Sequence, residues 1–134
     1  DVCGGHSGIE TRMSVTFSEG VKKRGMSLQR FVELTSTNPA RIMGMYPKKG
    51  VLAVGSDADI VLIDPEARRK LTLEDLHADT DYSIWEGWEL EGYPVTTILR
   101  GKVIVEGGEL KGTPEYGRFI KRSIAPEVLE RPVC

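Results

Sequence analysis

Cysteine and histidine are scarce in this chain: 134 residues hold two of each. Cys3 and Cys134 stand near or at opposite ends, a spacing that gives neither a disulfide framework nor a zinc motif, so both read as unpaired thiols. His6 and His77 form no His-x-His or His-x-x-x-His pair, so no complete metal site is expected within the chain. A surplus of charge is missing too. Eighteen Lys and Arg against twenty Asp and Glu leave a net charge of -2, which provides no field for nucleic acid or anionic lipid. No apolar run approaches the roughly 20 residues of a membrane span, and no charged start leads into an apolar signal core. The expectation is a soluble, cytoplasmic protein with no nucleic-acid or membrane partner. An initiating Met is also absent: Asp1 leads directly into a Gly-rich turn, which reads as a fragment or processed piece.

What is present is the balance of an ordinary globular domain, 40% hydrophobic and 28% charged, with helices first and a β module after them. Across residues 10–24, Met13, Val15, Phe17 and Val21 recur at mostly helical intervals, and Lys22, Lys23 and Arg24 suit a helix C-terminus near Gly25. Ser27 is placed to cap a second helix whose Leu28, Phe31, Val32 and Thr35 share a face. In "TNPARIMGMYP" Asn38 reads as an N-cap, Pro39 as the first helical residue and Gly44 as a left-handed stop. Beyond Pro47 the pattern becomes β-rich: a strand over 60–63, a mixed stretch over 71–76 read as a short strand followed by a helical turn capped at Thr72, and a hairpin of 95–99 with 103–105. Arg100 to Lys102 forms its turn, and Glu106-Gly107-Gly108 a second one before a third strand. The tail, with three prolines and Arg118, Lys121 and Arg122 beside Tyr116, Phe119 and Ile120, is expected to pack across a surface.

Few motifs carry chemistry by themselves. "VCGGHSGIETRM" lacks the lysine of a phosphate loop and any preceding strand. Asp57 and Asp59 in "SDAD", and Asp79 and Asp81 in "ADTD", read as turn carboxylates rather than an acid/base pair. Trp85 and Trp88 in "WEGWEL" read as packing residues. No catalytic residue is assigned.

The whole pattern nevertheless resembles the C-terminal part of the cyclic amidohydrolases of the dihydropyrimidinase and hydantoinase type. "GIETRM" with "FSEGVKKRGMSLQRFVELTSTNPARIMGMYPKKG" looks like the end of that family's catalytic barrel, and "VGSDADIVLIDP" like the return into its β-sandwich. "DYSIWEGWELEGYPVTTILRGKVIVEGGEL" is similar to the following strands, and "GTPEYGRFIKR" to the tail that packs against neighbouring subunits. The resemblance implies an α/β plus β fold: the last helices of a (β/α)8 TIM barrel over residues 1–46, half of a β-sandwich over 47–112, and an oligomer-contact tail over 113–134. It also implies a fragment of a larger fold, since such a barrel takes about 250 residues.

The family implies two divalent metal ions, usually zinc, which activate a water for hydrolysis of a ring amide. Their ligands belong to earlier barrel strands, so the fragment alone is expected to bind no metal and to be inactive. Its partners would be a small cyclic amide, the rest of its own barrel and further copies in a homotetramer. The loop before Glu-x-Arg supplies backbone groups to the substrate in that family, which makes Gly4, Gly5 and His6 the substrate-binding candidates. Cys3, Gly4 and Gly5 fall where hydantoinases usually show Pro, Asn and Gly. His6 adds a titratable group, and Glu10 and Arg12 are expected to form a supporting ion pair. Rivals are a non-catalytic scaffold relative and an allantoinase or dihydroorotase relative. An isolated piece of this kind should expose an unpaired strand edge and an apolar face, and self-associate.

Overall fold

The structure, a computed structural model, describes residues 5–130. Helices precede strands, as the sequence pattern implies. The chain divides into two compact units, one from residues 5–26 with Ile63–Pro94, the other from Ser27–Leu62 with residues 95–130.

In the first unit, helix α1 (Arg12–Val15) continues into a π-helical stretch, Thr16–Lys22, closed by the Lys23 N–H donating to the Ser18 carbonyl. The expected helix is therefore present but wider than an α-helix through most of its length, because apolar spacing does not distinguish four-residue from five-residue hydrogen bonding. Ser18 is fully buried there, and its Oγ accepts the Glu91 N–H at 3.0 Å. The core consists of Val15, Leu71 and Leu90, with Leu76, Trp85 and Tyr93 packed against them. Each fully buried leucine contributes about 1.5–3 kcal/mol. Burial holds the Tyr93 phenol above its ordinary 10.0, while the Arg69 guanidinium, 4.6 Å from the ring centroid, works the other way. Gly92 has a positive φ, +83°, and a Cβ there would stand 2.3 Å from the Phe17 ring, so only glycine lets that ring approach. The cap at Thr72 is also found, but the short strand expected just before it is not, since the preceding strand ends at Lys70. The Thr72 N–H and hydroxyl both donate to Asp75 Oδ2, at 3.0 and 2.8 Å, and close the short 3-10 turn Leu73–Asp75; these bonds hold the Asp75 carboxyl below its usual value.

In the second unit, Ser27 caps helix α2 (Leu28–Val32) as expected, its Oγ accepting the Arg30 N–H at 3.1 Å. The shared face is only partly covered: Phe31 is buried, whereas Leu28 is 61% exposed. Asn38 is not an N-cap. The backbone stays helical from α2 through a π-helical turn, Glu33–Thr37, into α3 (Asn38–Ile42). Pro39 has no N–H to offer an α-helical ladder, and the wide turn before it accommodates that missing bond. Gly44 ends the helix with φ +70°, and the N–H groups of Met45 and Tyr46 both reach the Ala40 carbonyl, at 2.8 and 3.1 Å.

A four-stranded sheet has the order β1 (Ile60–Lys70), β2 (Glu89–Leu99), β3 (Lys102–Glu106), β4 (Glu109–Leu110). The boundary between the units falls after Leu62 in β1 and after Pro94 in β2. The strand expected over 60–63 runs on to Lys70 through Pro65, which an edge strand permits because one row of its N–H groups needs no partner. Strands β2 and β3 pair antiparallel from Leu99 with Lys102 to Thr96 with Glu106, with a bulge between Thr97 and Ile98. Their two-residue turn has φ +46° at Arg100 and +79° at Gly101, the twist that a tight hairpin requires. Glu106 then pairs with Glu109 to begin the third expected strand, β4. The tail lies across this unit: the Ser123 N–H donates to the Gly44 carbonyl at 2.9 Å, and Arg100 stands 4.4 Å over the Tyr116 ring. It ends in the short helix α4 (Pro126–Glu130). Among the described residues no helix is long and apolar enough to cross a membrane.

Candidate functional site

Of the three substrate-binding candidates, Gly4 lies outside the described residues; Gly5 and His6 begin a loop that runs to Glu10 and enters α1. Gly5 takes φ +148°, and the His6 imidazole folds back over Gly8, where a Cβ would meet its Cε1 at 3.0 Å. The loop is joined to the helix by the Arg12 N–H donating to the Gly8 carbonyl at 3.1 Å.

Three contacts join this loop to residues 77–85. The Tyr82 hydroxyl donates to the Gly5 carbonyl. Trp85 meets the His6 ring edge-on, with centroids 6.5 Å apart. Glu10 accepts the His77 N–H at 2.9 Å on one carboxylate oxygen and meets His77 Nδ1 at 2.8 Å with the other. The expected Glu10–Arg12 pair is thus replaced by a Glu10–His77 pair. Glu10 and Arg12 are separated by one residue, whereas His77 comes from 67 positions away and offers a backbone and a ring nitrogen to the same carboxylate. Trp85 in turn packs on the Val15, Leu71 and Leu90 core and stands edge-on to Trp88 at 4.8 Å. Trp85 packs on the core as expected and also touches a candidate site residue, whereas Trp88 is 39% exposed and lies outside that core. No spacing in the sequence marks Tyr82, His77 or Trp85 as neighbours of the loop; only their chemistry, a hydroxyl, an imidazole and an indole close together in the chain, could have drawn attention to them.

A second polar cluster lies in the other unit. Lys49 reaches Asp57 at 3.0 Å and also pairs with Asp59, while Lys48 reaches Asp57 at 2.6 Å. Asp59 accepts the Arg100 N–H at 2.8 Å and so holds the β2–β3 turn. Hydrogen bonds from Lys48 and Lys49 keep the Asp57 carboxyl below its usual range. For Lys49, burial works to lower the pKa, but its bonds to Asp59 and Asp57 outweigh that and raise it above 10.5. With every charge answered by an opposite one, this is an ion network that ties turns together, in keeping with the reading of these aspartates as turn carboxylates. Lys49, Asp57 and Asp59 line an open cleft of about 270 Å³ beside Pro39, Met43 and Met45.

Among the described residues no three of His, Cys, Asp and Glu gather in a way that could hold a metal ion.

Comparison with known proteins gives this geometry a context. The amidohydrolase family matches residues 3–104. A D-hydantoinase from Ralstonia pickettii is 48% identical over 118 residues, which is 88% of this chain and 26% of that protein. A dihydropyrimidinase from Rattus norvegicus is 45% identical over 129 residues, 96% of this chain and 25% of that protein. A solved D-hydantoinase structure superposes with a TM-score of 0.84 at 48% identity, over 88% of this chain and 26% of that one. The chain therefore spans about a quarter of the length of the relatives it matches.

Proposed function

Because this chain belongs to the amidohydrolase family, we propose that it forms the C-terminal part of an enzyme that hydrolyses the ring C–N bond of a cyclic amide, a hydantoin or a dihydropyrimidine. The observation that carries this reading is the 48% identity to a D-hydantoinase, maintained over 88% of the chain. In the reaction, water adds across one ring amide and leaves a carboxylate and an open ureido group.

Residues 1–46 are read as the end of a (β/α)8 barrel, 47–112 as half of a β-sandwich and 113–134 as a tail that contacts further copies in a homotetramer. The enzyme works in the cytoplasm on this reading. Gly4, Gly5 and His6 form one wall of the substrate pocket: backbone N–H and C=O groups there complement the alternating donors and acceptors of a cyclic diamide, and the imidazole shapes which rings fit. The Gly5 carbonyl retains a second lone pair beyond the one that accepts the Tyr82 hydroxyl.

The family implies divalent metal use in the intact enzyme, to activate water and polarise the ring carbonyl. The described residues do not fit as that centre, since no set of three potential ligands converges and His77 Nδ1 is engaged by Glu10. What this chain contributes is binding and orientation.

The test is a panel of hydantoin, dihydrouracil, allantoin and dihydroorotate, offered to the metal-loaded intact protein, with the ureido acids measured. Opening of hydantoin or dihydrouracil is expected. Opening of only allantoin or dihydroorotate would reassign the substrate, and opening of none would favour a non-catalytic relative. His6→Ala is expected to change the ranking of the accepted rings; unchanged kinetics on every one would remove the imidazole from the pocket wall.

A further inference from the structure

We infer that residues 77–85 latch the 5–10 loop in place, which makes Tyr82 and Glu10 positioning residues for the substrate wall. The inference rests on the reading of Gly5 and His6 as that wall and extends it to residues outside the loop.

The loop has little of its own to fix it. A Cβ at Gly5 would meet nothing within 4 Å, and Ile9 is 87% exposed. A glycine-containing loop of this kind has many accessible conformations, and a ligand must pay the entropy of ordering it unless the protein has done so already. The 77–85 segment supplies that order at both ends. Tyr82 fixes the Gly5 carbonyl at the start, and the Glu10 carboxylate grips His77 through two nitrogens at the finish. Between them the His6 ring rests edge-on to Trp85, which is anchored in the Val15, Leu71 and Leu90 core. A loop fixed at two ends and touched once between them has little freedom left. The His77 side chain is itself 79% exposed, so its ring adds little by charge alone; the backbone N–H bond to Glu10 and the Tyr82 bond carry most of the restraint.

Two variants remove the anchors, and a third keeps the Glu10 anchor under a conservative change. Tyr82→Phe removes only the hydroxyl. Glu10→Ala removes both bonds to His77. Glu10→Gln keeps an oxygen for the His77 N–H and an amide for Nδ1. In the intact enzyme, Tyr82→Phe and Glu10→Ala are each expected to raise KM for the accepted ring about tenfold with kcat within about twofold, while Glu10→Gln stays close to the parent protein. A purely structural role would lower thermal stability and leave the KM of the folded protein unmoved. Amide hydrogen exchange gives a readout that does not depend on activity: the two anchor-removing variants should speed exchange across residues 5–10 and leave α1 unchanged. Faster exchange in a protein that opens no ring would retire the functional reading and keep the latch. Unchanged exchange and unchanged KM in both variants would overturn the latch, whatever the panel of rings had given.

Discussion

In the first unit the 5–10 loop leans on residues that rest on an apolar core, whereas in the second unit the turns are gathered by charge. Leu71 and Leu90 are 2% and 1% exposed, and Trp85 conveys their packing to His6. The second unit has Phe31 and Ala40 buried, but Leu52, Leu110 and Phe119 are largely exposed, and its order comes from Lys48, Lys49, Asp57 and Asp59 together with hairpin turns. The difference teaches that a loop can be held by a few polar bonds to residues that rest on a packed apolar core, with no ion network beneath it. Burial acts without direction and is little altered by salt, while an ion network specifies which turn meets which strand and responds to pH.

Substitutions test that contrast, from the largest effect to the smallest. Leu90→Ala removes a fully buried side chain from the first core and should cost about 2–5 kcal/mol in urea unfolding. A loss below about 1 kcal/mol would mean that the core is not what steadies this unit. Gly92→Ala drives a methyl into the Phe17 ring at a positive φ, with an expected cost of about 2–3 kcal/mol by the same measurement. Lys49→Met leaves Asp59 without its lysine and Asp57 with Lys48 alone, and should cost roughly 1 kcal/mol, largest at low salt; a cost that does not depend on salt would contradict the ionic account. Ser27→Ala removes the α2 cap, for about 0.5–1 kcal/mol in thermal unfolding.

The network also sets a pH signature. The Asp57 carboxyl is lowered from 3.8 in the folded chain, so its stabilisation is fully present above that value and is lost as pH falls through the lower folded one. Lys49 is raised from 10.5, so its contribution is present below that value and is lost as pH rises through the higher folded one. Stability measured against pH should thus fall at both extremes, and Lys49→Met should flatten the alkaline side. Equal curves for parent and variant would separate Lys49 from the pH response.

Much of the local structure was legible because its causes lie within a few residues. Ser27 caps the next turn, Gly44 ends a helix, Arg100-Gly101 closes a hairpin, and Thr72 closes a short turn with Asp75. Other features were illegible for equally physical reasons. The π-helical stretches, one of them just before Pro39, leave no separate mark in apolar spacing. β1 extends through Pro65 because it is an edge, and edge position is a property of the sheet. At the candidate site, Gly5 and His6 could be read as a substrate wall only by resemblance, and no spacing marked their neighbours.

The sequence by itself determined the family, the order of helices before strands and the turns whose hydrogen bonds span two to five residues. Only the tertiary structure decided that Glu10 meets His77 rather than Arg12, that Tyr82 reaches Gly5 across 77 positions, and that Lys49 lies between two aspartates. A short-range bond is constrained by the backbone that carries both partners, so it leaves a pattern in the sequence. A long-range bond is chosen by packing after the chain has folded, and among several carboxylates and several donors nothing but that packing selects the pair.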